Sequence, residues 1–201
     1  MKSCIVLVIY FVVILLATSF VMEMVLKSVD LPQKVSSHKE LADTDDSLTL
    51  DDMHLGEPTP GMVKIFNRLV KHADIDTPGL YLDTKNPRIN AYAFYSNNIV
   101  VTGRLLKYSE TVDRLSLVIG HEICHLKLNH HLRVHSKEVE KEADLCGFEL
   151  AKAAGFNVSR AIEFWKQYSN DFGYAYFPNH PHPYHRYQYL SKRITTMESV
   201  K

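Results

Sequence analysis

Residues 121–125 of this 201-residue chain read His-Glu-Ile-Cys-His. A helix turns once in about 3.6 residues, so two histidines four apart project from one face and can meet a single cation. Glu122, beside the first of them, can reach a water activated by that cation without binding the cation itself. The spacing points to zinc held by His121 and His125, with Glu122 as the base. Two solvent-facing histidines on an amphipathic helix are the plainer alternative. It loses ground because Ile119, Ile123 and Leu126 surround the pair with apolar side chains. Buried histidines beside a carboxylate need partners, and a metal supplies them.

A catalytic zinc takes a third protein ligand and leaves the fourth position to water. Two residues are candidates. His131 stands where the third histidine falls in the extended metzincin pattern HExxHxxGxxH, but that pattern needs a turn-forming glycine at position 128. Leu128 favours continuing the helix, which carries His131 away from the metal. The other candidate is Glu140. Glu140 and Asp144 are four residues apart and share a helix face, so one can bind metal while the other orients a ligand histidine. Glu138 and Glu142 read as solvated charges on the same helix.

The elements that must position these groups are legible from periodicity and end signals. A long helix over 111–131 carries the motif, and a second over 137–154, stopped by Gly155, carries Glu140 and Asp144. Upstream, Thr59 and Pro60 cap a helix on which Met62, Ile65, Phe66, Leu69 and Val70 recur at helical spacing. Strand character over 79–82 and 91–101, separated by Lys85-Asn86-Pro87, predicts a small sheet. A further helix is expected over 159–168. The class is α+β, mostly helical.

HEICH followed after a short gap by Glu140-Lys141-Glu142-Ala143-Asp144 resembles the M48 peptidases, which include CaaX prenyl endopeptidases and HtpX-type membrane proteases. Asn90-Ala91-Tyr92-Ala93, the run Ile99 to Gly103 and Leu105-Leu106 resemble the family's strand and glycine-leucine turn before the active-site helix. His180-Pro181 with Arg186 is similar to its C-terminal HPxxxxR element. The resemblance spans roughly residues 60–190. It implies a zincin-like, gluzincin catalytic domain with one zinc per chain, Glu140 as third ligand, and Asp144 and Arg186 as supporting partners. It further implies His180 as the side chain stabilising the oxyanion, and residues 90–93 as an edge strand facing the cleft and pairing with a polypeptide substrate. Two departures stand out. Only residues 126–139 separate HEICH from Glu140, so this looks like the compact type, and Arg104 interrupts the usual glycine-leucine-leucine.

Lys plus Arg and Asp plus Glu balance at 23 each, which gives no attraction for nucleic acid. Residues 5–22 carry no charge and are apolar on nearly every helical face, so residues 1–27 read as a membrane anchor with the catalytic part outside the cytoplasm. Secretion after cleavage near Ala17-Thr18-Ser19 is the alternative. Cys4 precedes the apolar run, which excludes a lipid-modified cysteine after it. Residues 28–58 read as a polar, acidic tether, leaving 59–201 as the catalytic domain. Cys124 and Cys146 read as small buried hydrophobes and not as a bridge or reactive thiol. The reading that follows is an endopeptidase acting on envelope or misfolded proteins, with a noncatalytic zinc-stabilised escort module as its rival. Glu122 discriminates between them, because a structural zinc site has no need of a base.

Overall fold

The computed structural model describes residues 49–173 and 180–199. The expected anchor over 1–27 and most of the expected tether lie outside the described residues. Among the described residues no helix is long and apolar enough to cross a membrane.

Within the stretch expected to be tether, Leu55–Gly56 forms a short strand, β1, and Met53 is buried beside it. A two-residue strand has no alternation to read, and one methionine in an acidic run gives little warning of burial. Pro60–Val70 is helix α1, with the Thr59 hydroxyl accepting from the Met62 amide and Met62, Ile65, Phe66 and Leu69 all buried. The sheet comprises β1, β2 (Gly79–Asp83), β3 (Ala91–Phe94) and β4 (Asn98–Thr102) in the order β1-β2-β4-β3. β2 and β4 run parallel, whereas β3 returns antiparallel to β4 through a turn at Asn97, whose φ is 60°. The crossover makes β4 central, so Ile99, Val100 and Val101 are wholly buried on both faces. It leaves β3 at the edge.

Helix α2 (Gly103–Ser109) follows directly, capped by Thr102, and Thr111 caps α3 (Val112–Lys127). The expected helix over 111–131 stops earlier. Asn129 adopts a left-handed conformation, φ 52°, and residues His130–Leu132 form a single tight turn. Ser136 caps α4 (Lys137–Ala153), which ends against Gly155 at φ 77°. The helix expected over 159–168 is two short pieces, α5 (Val158–Ala161) and α6 (Glu163–Phe172). Helix α7 (Pro183–Glu198) carries only a sparse apolar stripe, Tyr187, Leu190, Ile194 and Met197, among polar residues, and docks through Arg186 and Tyr189 as well.

Helices α3 and α4 pack closely, and the reason is a missing pair of side chains. A Cβ on Gly147 would stand 2.7 Å from the His121 amide nitrogen, and one on Gly120 would stand 3.0 Å from the Gly147 carbonyl oxygen. At that separation Cys124 and Cys146 have Cα atoms 5.9 Å apart and are joined as a disulfide. This corrects the expectation of unbridged cysteines. Both are apolar-surface residues on their helices, and only the glycine contact between the helices brings them into register.

Candidate active site

Helix α3 supplies His121, Glu122 and His125, and α4 supplies Glu140 and Asp144. The His121 and His125 Nε2 atoms stand 2.9 Å apart, and Glu140 Oε2 and Oε1 lie 3.3 and 3.4 Å from them respectively. All three residues present a ligand atom within 4.8 Å of the others. Glu140 is 1% exposed, and its Oε2 accepts no well-aligned hydrogen bond from the protein. Two nitrogen lone pairs and an unsatisfied buried carboxylate oxygen aimed at one point form a donor set suited to a divalent cation. His131, the other candidate ligand, is exposed at the cavity mouth and belongs to no such group among the described residues.

The tautomer of His121 is set from behind. Its Nδ1–H donates to Asp144 Oδ1 at 2.9 Å, which leaves Nε2 as the lone pair facing Glu140. Asp144 also accepts from Arg186 Nε at 2.7 Å, from Arg186 Nη2 and from the Tyr189 hydroxyl. The Arg186 guanidinium lies 3.4 Å over the Trp165 ring, so a buried cation sits between a carboxylate and an aromatic face. Burial works against the Asp144 charge, yet Arg186 and His121 hold its carboxyl down to about 2. Burial also opposes a charge on His121, but Asp144 and Glu140 carry the imidazole up to about 10. That same negative surrounding favours a metal cation in the proton's place.

His125 has a partner that the sequence did not disclose. Its Nδ1 stands 3.0 Å from His130 Nδ1, and His130 Nε2 is 3.5 Å from Glu142 Oε2, a carboxylate that Arg133 holds. With His125 Nε2 reserved as a lone pair, its Nδ1–H donates to His130. The left-handed residue Asn129 swings His130 back under α3, and a helix continued to 131 would have pointed it elsewhere. Burial pushes His125 down to about 2, so this imidazole is neutral.

Glu122 is 8% exposed and lines a cavity of about 820 Å³ together with His121, His125 and Glu140. Burial, with the Glu140 charge adding and His121 opposing, pushes the Glu122 carboxyl up to about 7. Such a group both takes and returns protons near neutrality. Residues Asn90, Ala91, Tyr92 and Ala93 line the same cavity, and β3 has its second edge unpaired by any strand of the sheet. His180 is also at the wall, its Nε2 3.1 Å from Glu140 Oε2, and burial pushes it down to about 4. His135 closes the ring, donating from Nε2 to Glu140 Oε1 at 2.6 Å. Neither His130 nor His135 carries a sequence signal beyond histidine richness.

The sequence pattern of peptidase family M48 matches residues 58–138 and 132–194. Among characterised proteins, the beta-barrel assembly-enhancing protease of Escherichia coli (strain K12) is 39% identical over 67 residues, which is 33% of this chain and 14% of that protein. The protein of the same name from Yersinia pestis is 34% identical over 73 residues, 36% of this chain and 15% of the relative. The chain thus matches a small fraction of either relative's length.

Proposed function

The chain belongs to peptidase family M48, and from that premise we propose that it is a zinc-dependent endopeptidase acting on extended polypeptide. His121, His125 and Glu140 hold the zinc. When bound there, zinc supplies a Lewis acid that polarises the scissile carbonyl and acidifies the attacking water. Glu122 accepts the proton as water oxygen adds to the carbonyl carbon, and passes it to the amine nitrogen as the C–N bond breaks. His180, whose Nε2 lies 3.1 Å from Glu140 Oε2 at the cavity wall, donates its N–H to the carbonyl oxygen as charge grows there. The substrate backbone pairs with the outer edge of β3, beside Ala91, Tyr92 and Ala93.

One observation carries this reading: a buried carboxylate is adjacent in sequence to the first of three convergent candidate metal donors and opens on their cavity. A zinc site that only held the fold together would have no use for Glu122. The test is the chain with Glu122→Gln, assayed for zinc content and for cleavage of unfolded casein beside the parent. Zinc and thermal midpoint should hold while the rate falls about a hundred- to ten-thousandfold. A parent that cleaves nothing, or a variant as fast as the parent at equal zinc loading, replaces this reading with the escort module.

We further propose that residues 1–27 anchor the chain with the catalytic domain outside the cytoplasm. The Cys124–Cys146 disulfide supports this, because such bonds persist in oxidising compartments. The relatives' names concern assembly of β-barrels, and by extension the proposed substrates are envelope or misfolded proteins. In bacterial cells, protease added to intact spheroplasts should digest the domain; protection until lysis would place it inside.

A further inference from the structure

Glu140 is surrounded by more imidazole than one catalytic cation can use. Its two oxygens face four Nε2 atoms: His121 at 3.3 Å, His125 at 3.4 Å, His135 at 2.6 Å and His180 at 3.1 Å. A catalytic zinc draws three protein donors, which His121, His125 and Glu140 supply. The other two imidazoles stand nearer solvent, with side chains 29% and 26% exposed against 7% and 17% for the inner pair. His135 comes from the connection between the turn His130–Leu132 and α4, and His180 from the approach to α7. Two separate connections converge on one carboxylate. His135, Glu140 and His180 each offer a ligand atom within 4.8 Å of the others, and the two rings meet edge to face with centroids 5.3 Å apart.

We propose that His135, Glu140 and His180 form a second cation site, sharing Glu140 with the first, that takes zinc or another late first-row divalent ion. This rests on the zinc reading of the inner site. Two imidazoles and one carboxylate suit zinc, cobalt, nickel or copper, whereas calcium and magnesium demand more oxygen ligands. A carboxylate spanning two cations is ordinary chemistry in two-metal sites. The outer ion binds more weakly, because one shared anion faces two dications. Its arrival engages His180, the imidazole that the proposed reaction turns to substrate, so the site makes turnover sensitive to free zinc.

The experiment dialyses the metal-stripped 201-residue chain against buffered free zinc and counts bound metal by mass spectrometry. The parent should take two equivalents, the second at least roughly tenfold weaker than the first, given the repulsion between the cations. His135→Ala should keep the tight equivalent and weaken the second by about a hundredfold or more, since even a ligand's supporting partner is commonly worth ten- to a hundredfold. His180→Ala should do the same, so that a local folding fault in one variant does not decide the matter. Millimolar calcium and magnesium should leave the second equivalent in place. Saturation at one equivalent, a second equivalent indifferent to both substitutions, or its displacement by calcium or magnesium overturns the outer site and leaves the inner one standing. No tight equivalent at all overturns both.

Discussion

Asp144→Asn should be a strongly destabilising isosteric change. The carboxylate is 1% exposed and accepts from His121 Nδ1, Arg186 Nε, Arg186 Nη2 and the Tyr189 hydroxyl. An asparagine keeps one acceptor oxygen and turns an NH2 donor toward groups that are themselves donors. Arg186, 4% exposed, is left as a buried cation without a carboxylate in contact, balanced by the Trp165 face, one amide oxygen and the more distant Glu140. Removing one partner of a buried pair costs about 3–5 kcal/mol. For a domain of this size that lowers the thermal midpoint by roughly 10–20 °C. The loss should appear in the metal-free protein, measured by calorimetry with chelator, because it lies in the Asp144–Arg186 pair and not in the zinc. Zinc affinity should fall separately, by about ten- to a hundredfold, as His121 loses the acceptor that sets its tautomer. Asp144→Asn combined with Arg186→Met should recover at least half of the stability lost, since no orphaned charge remains. A cost below about 1 kcal/mol for Asp144→Asn, the range of an exposed ion pair, would refute the reasoning. So would a double variant no more stable than the single.

Glu140→Gln should strip most of the bound zinc while His131→Ala leaves it, a comparison that metal analysis of the two purified variants decides. Gly147→Ala should cost about 1–3 kcal/mol in urea unfolding and loosen zinc, because its methyl would meet the backbone of Gly120 and His121 at 2.7–3.0 Å. Replacing Cys124 and Cys146 together by alanine should cost about 3 kcal/mol, the chain-entropy value for bridging residues 22 apart, read as a lower thermal midpoint that reductant reproduces in the parent but not in the variant.

Helices α1, α3 and α4 were legible because their caps and periodicity are local properties, and the three residues proposed to hold zinc, which converge in the structure, were picked out by spacing together with family resemblance. What escaped depends on contacts between distant segments. The bridge between Cys124 and Cys146 follows from the meeting of Gly120 with Gly147, which no single-helix pattern encodes. The end of α3 at Lys127 turns on Asn129 accepting a left-handed backbone, a conformation its side chain permits but does not demand. From that turn come His130 behind His125 and, one connection later, His135 against Glu140. Helix α7 escaped because Arg186 is buried by stacking and pairing, so the residue that docks the helix reads as solvent-facing.

The outer edge of β3, unpaired by any strand of the sheet, bears on how such an enzyme would spare its neighbours. The strand is four residues long, Ala91–Phe94, and offers main-chain groups with little demand on side-chain identity. If substrate pairs with this edge as proposed, it can do so only where its own amides and carbonyls are not already committed to a helix or sheet. Discrimination then falls on the substrate's local opening and not on its sequence. A segment held closed by 5 kcal/mol, on the order of a native domain's stability, is available only about once in 5,000 encounters. When opening and closing outpace cleavage, the cutting rate follows that population, so a roughly fivefold or thirtyfold difference in lifetime between two proteins would report about 1 or 2 kcal/mol of difference in how well each is folded.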